Sequence, residues 1–316
     1  MGIAKESTWG TRVAAEDYVY FVSENLSEKL EEVNSESIRA NRDLPDFYQG
    51  QFTCDGDIVL EVYPDTIGYF LRSALGQPSE AQQEATSAYK HTFTPTDTPF
   101  HDDCALYPYT LEIYRDLDTS DEYTGCVVDS LAFEWSVSTK ILRATAGIIA
   151  KTRADLEASS DSFQAIDPFV WHQGAIVIGS ANTDLESLTI NINNNQEPVF
   201  LLDGAQTPAK ILPTGFREFT LSGVFGIIDD HTEYDKFIAG TETDWVITFT
   251  GATIESTYKY TLAFTLKDVV YRAYPLGVSG PNRQTVAFEA RAQYDSDAGY
   301  SCLVELTNEV TDYNPA

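Results

Sequence analysis

The chain has 316 residues, with 49 acidic against 20 basic side chains and a formal net charge of −29. That balance excludes the electrostatic footprint of a protein that clamps a phosphate backbone. Hydrophobic residues make up 43% of the chain, enough to fill packed cores, so the acidity marks a globular surface rather than a disordered tail. At roughly 100 to 200 residues per domain, two domains are expected rather than one.

The first thirty residues carry no basic stretch followed by an apolar run, and nowhere do about 18 apolar residues follow one another. Neither a signal peptide nor a membrane span is predicted, and a soluble chain is expected. Residues 1–16 read as an N-terminal arm. Beyond them, period-two alternation dominates. It predicts strands over Asp57 to Tyr63, Tyr109 to Arg115, Ser130 to Thr139, Ser187 to Asn193, Phe219 to Phe225, Trp245 to Thr250, Tyr260 to Leu266, Thr285 to Gln293 and Tyr300 to Leu306. Two short helices are predicted, Asp65 to Leu75 stopped by Gly76 and Thr232 to Ala239 stopped by Gly240. The chain is therefore read as mainly β.

The helices share their surroundings. Ile58, Leu60 and Val62 precede the first as Leu221, Gly223 and Phe225 precede the second, a shift of roughly 163 residues. Asn25 to Leu30 takes the place of Ser187 to Ile192, Tyr109 to Ile113 that of Tyr260 to Phe264, and Leu131 to Gly147 that of Thr285 to Tyr300. This order predicts a duplication, with one β domain over 17–151, a polar linker over 152–167 and a second β domain over 168–316. Two connections are long for a compact sandwich, Asn34 to Gln49 and Asn194 to Arg217. They carry Leu44, Phe47 and Tyr48 in one and Val199, Phe200, Leu201 and Leu202 in the other, apolar groups that a lone domain hardly buries. A neighbouring subunit would cover them; the simpler alternative is that each loop folds back on its own sandwich.

Familiar catalytic signals are missing: no phosphate-binding glycine loop, no dinucleotide fingerprint, no H-E-x-x-H and no G-x-S-x-G. No cofactor is expected and the chain is not read as an enzyme. His101-Asp-Asp-Cys104 gathers metal-capable groups without a second cluster, and the acidic loop Asp116 to Glu122 lacks the glycine and bidentate glutamate of a calcium loop. Cys54, Cys104, Cys126 and Cys302 are scattered, so buried thiols are the simplest reading, with a Cys104/Cys126 disulfide or a metal site as alternatives.

Several stretches taken together carry a resemblance. They are Gly2 to Thr11 (GIAKESTWGT), Ser23 to Leu26 (SENL), Gly56 to Asp65 (GDIVLEVYPD) running into the helix that ends at Leu75-Gly76, Asn193 to Asn195, Arg217 to Gly223 (REFTLSG) and Tyr234 to Glu242 (YDKFIAGTE). With the duplication, they make the chain resemble the phage tail tube protein family, in particular its longer members from long-tailed bacterial and archaeal viruses. The resemblance spans most of the chain. It implies two tandem β-sandwich or partly closed barrel domains, each with a flanking α-helix and a long β-arm, used as a ring subunit of a hollow tube that delivers viral DNA. Three duplicated chains would then supply six similar domains in a pseudo-sixfold ring.

On this reading the long loops are intersubunit arms, and the segment around Trp9 is a ring-to-ring arm, unless it is a terminus without fixed order. Ser27, Lys29 and Glu31, with Thr189, Asn191 and Asn193, are candidates to line the bore, unless those stripes are ordinary outer faces. DNA would pass a bore of such residues without being gripped. The resemblance also implies partners, namely further copies of the chain, a tape-measure protein, and tail completion and distal tail proteins, with assembly in the host cytoplasm and residence in the virion tail. No membrane partner is expected. The excess acidity suits concentrated salt and suggests a virus of a salt-loving host. A tandem β-sandwich adhesin and a β-sandwich hydrolase with an unrecognised carboxylate pair are the competing readings.

Overall fold

The computed structural model describes residues 1–40, 42–43, 46–95, 107–156, 162–163, 165–182, 185–228, 230–277, 280–281 and 283–313. The first half contains β1 (Gly2–Lys5), β2 (Asp17–Tyr18), β3 (Ser23–Glu24), β4 (Ser27–Asn34), β5 (Phe47–Glu61), α1 (Ile67–Leu75), β6 (Ser79–Gln82), β7 (Tyr89–Phe93), β8 (Tyr109–Ile113), β9 (Ser120–Ser136), β10 (Arg143–Ala150) and β11 (Thr152–Leu156). The second contains β12 (Gly174–Ile178), β13 (Ala181–Asn182), β14 (Leu185–Asn193), β15 (Gln196–Val199), β16 (Lys210–Pro213), β17 (Glu218–Phe225), α2 (Thr232–Ala239), β18 (Thr243–Glu255), β19 (Tyr258–Ala273), β20 (Val286–Arg291) and β21 (Cys302–Asn308). The protein is mainly β, and among the described residues the strand pairings are antiparallel.

Two strands are long because each serves two sheets. The first part of β9 pairs with β8 and β11, and its last part with β10. In the same way β19 pairs first with β18 and β21 and then with β20. The remaining pairings repeat as well: β1 with β2 and β8 against β12 with β13 and β18, and β5 with β4 and β10 against β17 with β14 and β20. The two halves thus have one connectivity, each a β-sandwich whose sheets share a bent strand.

Between the halves, β9 pairs with β14 from Ser187 opposite Ser136 to Asn193 opposite Ser130. One large sheet therefore crosses the whole molecule in the order β4-β5-β10-β9-β14-β17-β20-β19, with β3 continuing the β4 edge. It is open rather than closed into a barrel: β3 with β4 at one edge and the end of β19 at the other have no further strand partner among the described residues.

Alternation of side chains gives this sheet two faces. The row Leu60, Ala144, Phe133, Ile190, Leu221, Ala290 and Tyr271 runs across seven strands and is buried throughout. A large apolar side chain in such a row contributes about 1.5–3 kcal/mol by leaving water. The same core cluster takes in both halves.

The helices form where expected and stop at the predicted glycines, which take up positive φ of 116° at Gly76 and 63° at Gly240. Their environments differ. Every residue of α1 is buried, whereas none of α2 is. The extra chain after α1 supplies β6 and β7, and β7 pairs with β21 from the other half. The ring of Tyr313 then lies so close to Gly68 that a Cβ there would sit 2.1 Å from it.

Several sequence expectations change in detail. The stretch 152–167, read as linker, begins with β11, which pairs with β9. The stretch 1–16, read as an arm, begins with β1, whose Gly2, Ile3 and Ala4 are buried and which pairs with β8 and β2. The counterpart of Tyr109 to Ile113 is β18 rather than the start of β19, because the insertion after α1 breaks the constant offset. Glu24 stands opposite Ile58 as Ile190 stands opposite Leu221, so Asn25 matches Asn191, four residues along from the alignment read in sequence.

Candidate functional site

With that register, the chain presents two hairpin arms of one design. In the first half β4 and the beginning of β5 run on beyond the sheet, pairing Glu32 with Gln49, Val33 with Tyr48 and Asn34 with Phe47. In the second half the separate pair β15–β16 occupies the same place, from Gln196 opposite Pro213 to Val199 opposite Lys210. Tyr48 of the first arm thereby corresponds to Ile211 of the second.

The second arm is fastened to the first half. The Asn194 amide donates to the carbonyls of Ala74 (3.0 Å) and Val128 (3.2 Å) and accepts from Arg217 Nε (2.7 Å). The backbone N–H of Asn194 bonds the Asp129 carbonyl at 2.8 Å, and that of Gln196 the Asp129 carboxylate at 2.7 Å. Burial is the main cause of the raised pKa of Asp129; the Gln196 bond opposes it. Ile211 packs with Val127, Ile149 and Trp9 in a small apolar cluster of its own. At the far end Gln206 accepts from the Phe52 N–H (2.8 Å) and donates to the Gln49 carbonyl (3.3 Å).

The first arm has no such seat. All eight residues of β4 are exposed, and Phe47 and Tyr48 stand 55% and 61% open. Of the apolar groups expected on arms, Leu201 and Leu202 are also exposed, Val199 and Phe200 are half-buried, and Leu44 lies outside the described residues. Trp9 is docked on its own chain: its indole donates to the Gly125 carbonyl at 3.0 Å and lies under Lys151 Nζ at 4.4 Å.

The polar stripes chosen from sequence come together on the face of the large sheet opposite the core. Thr189 lies in a row with Glu61, Arg143, Glu134, Ser222 and Glu289; Asn191 with Val59, Thr145, Ala132, Thr220 and Arg291; Asn193 with Asp57, Gly147, Ser130 and Glu218. Ser27 opposite Asp55 and Lys29 opposite Thr53 share this face at its edge, and Lys29 pairs with Asp55. Glu31 falls at a register break, where its carboxylate accepts from the Gln51 N–H at 3.1 Å. At its paired positions the face sets Asp55, Asp57, Glu61, Glu134, Glu218 and Glu289 against Lys29, Arg143 and Arg291, so most of the −29 resides elsewhere.

The remaining sequence candidates for chemistry resolve into structure. Asp121 of the acidic loop is held by Arg115 and Arg153, and Glu122 by Arg12 Nε at 2.5 Å. Cys54, Cys126 and Cys302 are buried free thiols, and burial pushes Cys54 and Cys302 up to about 12; Cys104 and His101 lie outside the described residues. Among the described residues no cluster of three or more His, Cys, Asp or Glu is arranged to hold a metal ion, and no helix is long and apolar enough to cross a membrane.

No curated protein matches the chain. The family model for phage tail tube proteins, in contrast, matches residues 1–292, nearly its whole length. Among the described residues the large sheet ends on two edges without a further strand partner, and the first arm has no seat. The chain belongs to the phage tail tube protein family, a structural family of the virion tail.

Proposed function

We propose that three copies of this chain close a ring of six similar β domains, and that such rings stack into the hollow tube through which viral DNA leaves. The observation that carries the reading is the β9·β14 junction. Within one chain it joins the last strand of one half-sheet to the first strand of the next, leaving one free edge of each kind. A head-to-tail contact of this sort closes when the rotation between domains divides a full turn. Through the repeated pairings Ser130 corresponds to Val270 and Asn193 to Ser27, so the same junction between chains sets the end of β19 against the Ser23 to Ser27 edge of the next.

The polar face then lines the bore. Its short Ser, Thr and Asn side chains and modest excess of carboxylates leave phosphate without a row of cations to hold it. The first arm lies over the neighbouring chain as the second lies over its own first half, and Trp9 with the adjoining N-terminal segment adjoins that seat. Each half is one copy of a duplicated domain, the first extending beyond 17–151 to take in β1 and β11 and the second covering 168–316. A tape-measure protein inside the tube and tail completion and distal tail proteins at its ends are the further partners, and assembly takes place in the host cytoplasm. The acidic outer surface suits a salt-loving host, because screening within a few ångströms at molar salt removes the repulsion between neighbouring copies.

Electron microscopy of the purified chain across salt concentrations tests this reading. Rings with three chains and six density lobes, favoured by high salt, are expected. Dispersed monomers at every salt concentration contradict the tube, and rings equally stable in dilute buffer contradict the salt-adapted host.

A further inference from the structure

In an antiparallel strand, successive residues turn their backbone groups to opposite edges. The Asn25 N–H bonds the Asp57 carbonyl at 3.1 Å, so the N–H and C=O of Leu26 face away from β5, toward the unpartnered edge. In the second half the same position is Ile192, opposite Leu131 in the β9·β14 junction. The backbone of Leu26 is therefore what an incoming strand must reach.

Side chains already occupy it. The Leu26 N–H is held by the Glu24 carboxylate at 3.0 Å, and the Leu26 carbonyl accepts from Arg115 Nη2 at 2.8 Å and from the Tyr123 hydroxyl at 3.1 Å. Arg115 grips Glu24 through two bonds of 2.8 Å and also pairs with Asp121. The side chain of Glu24 is only 10% exposed, which shields these charge-assisted bonds from solvent. The matching residue at the internal junction is Ile190, buried opposite Phe133. The position that packs an apolar side chain where strands are joined thus bears a carboxylate where the edge is free. A charge placed on an edge strand is a means by which sheets avoid indiscriminate pairing.

We propose that the Glu24–Arg115 pair is a latch over the Ser23 to Ser27 edge, which keeps dispersed chains apart and is displaced when the end of β19 from a second copy pairs there. The latch rests on the ring reading and adds a control to it. Salt loosens it from the Arg115 side, which is 31% exposed, while leaving backbone pairing intact.

The test compares wild-type chain with Glu24→Gln for the concentration at which rings appear, by sedimentation at low and high salt. With a charge-assisted bond contributing about 1.5 kcal/mol, Glu24→Gln should form rings at roughly tenfold lower concentration in dilute buffer. The gap should narrow at high salt. In the dispersed chain the Leu26 amide should exchange with solvent about tenfold faster in Glu24→Gln, a reading that needs no assembly. Wild-type rings together with an unchanged threshold, or an unchanged Leu26 exchange rate, overturn the latch alone. A wild-type chain that forms no ring at any salt concentration overturns the ring and the latch with it.

Discussion

The two arms have the same connectivity and opposite circumstances. The β15–β16 arm is pinned by Asn194, Asp129 and Ile211 against strands of the preceding half, while the β4–β5 arm, with Tyr48 in the place of Ile211, projects from its half with both faces open. The cause is position in the chain. The second arm has the first half to lie on, and among the described residues no corresponding half lies beside the first arm. The docked arm is thus a picture, inside one chain, of the contact proposed for the open arm in the tube.

The comparison can be broken most severely by removing the open arm. Replacing residues 33–48 with an Asn-Gly turn should abolish rings in electron micrographs, yet leave the unfolding free energy of the dispersed chain within about 0.5 kcal/mol, because the described residues among them are nearly all exposed. A large loss of stability would show that the arm serves its own fold. Asn194→Ala, on the docked side, should cost about 3 kcal/mol in urea unfolding, since it removes the amide that bonds the buried Ala74 and Val128 carbonyls and accepts from Arg217 Nε. Ile211→Ala should cost about 2 kcal/mol, the low end for a buried isoleucine because its cluster is small. Tyr48→Ala is the matched substitution on the open arm: it should weaken assembly and change chain stability by less than about 0.5 kcal/mol.

The smallest effect is electrostatic. Asp129 has its pKa raised, chiefly by burial under the docked arm. Such a group contributes stability that is fully present below the ordinary carboxylate pKa and is lost as pH rises through the raised folded value. Asp129→Asn should therefore flatten the pH dependence of unfolding just above the ordinary carboxylate pKa. A steeper dependence in that variant would show that the Gln196 bond, not burial, governs the site.

Much of this was legible in sequence. The alternation of Leu188, Ile190 and Ile192 with Thr189, Asn191 and Asn193 gave the strand and its two faces, and Gly76 and Gly240 gave the helix ends, because both signals are local. The duplication showed in the offset between Ile58 and Leu221, which survives since no insertion lies between each of these strands and its helix. Past α1 the added β6 and β7 shift the count, so the partner of Tyr109 to Ile113 was assigned to the wrong strand. Gly2 to Lys5 and Thr152 to Leu156 passed as arm and linker because strands this short carry no periodicity of their own and form through pairing with β8 and β9. The pairing of β9 with β14 is a non-local register that no window of sequence contains. The Glu24–Arg115 bridge joins residues 91 positions apart and escapes sequence reading for the same reason.

The most direct measurement is a covalent trap across the proposed seam. In a chain carrying both Ser27→Cys and Val270→Cys, residues that correspond to the Asn193 and Ser130 pair of the internal junction, mild oxidation of assembled rings should give a ladder ending at the covalent trimer. Closed trimers account for an end at three. No cross-link between chains in intact rings, or a ladder that runs past three, would contradict the junction as the template for ring closure.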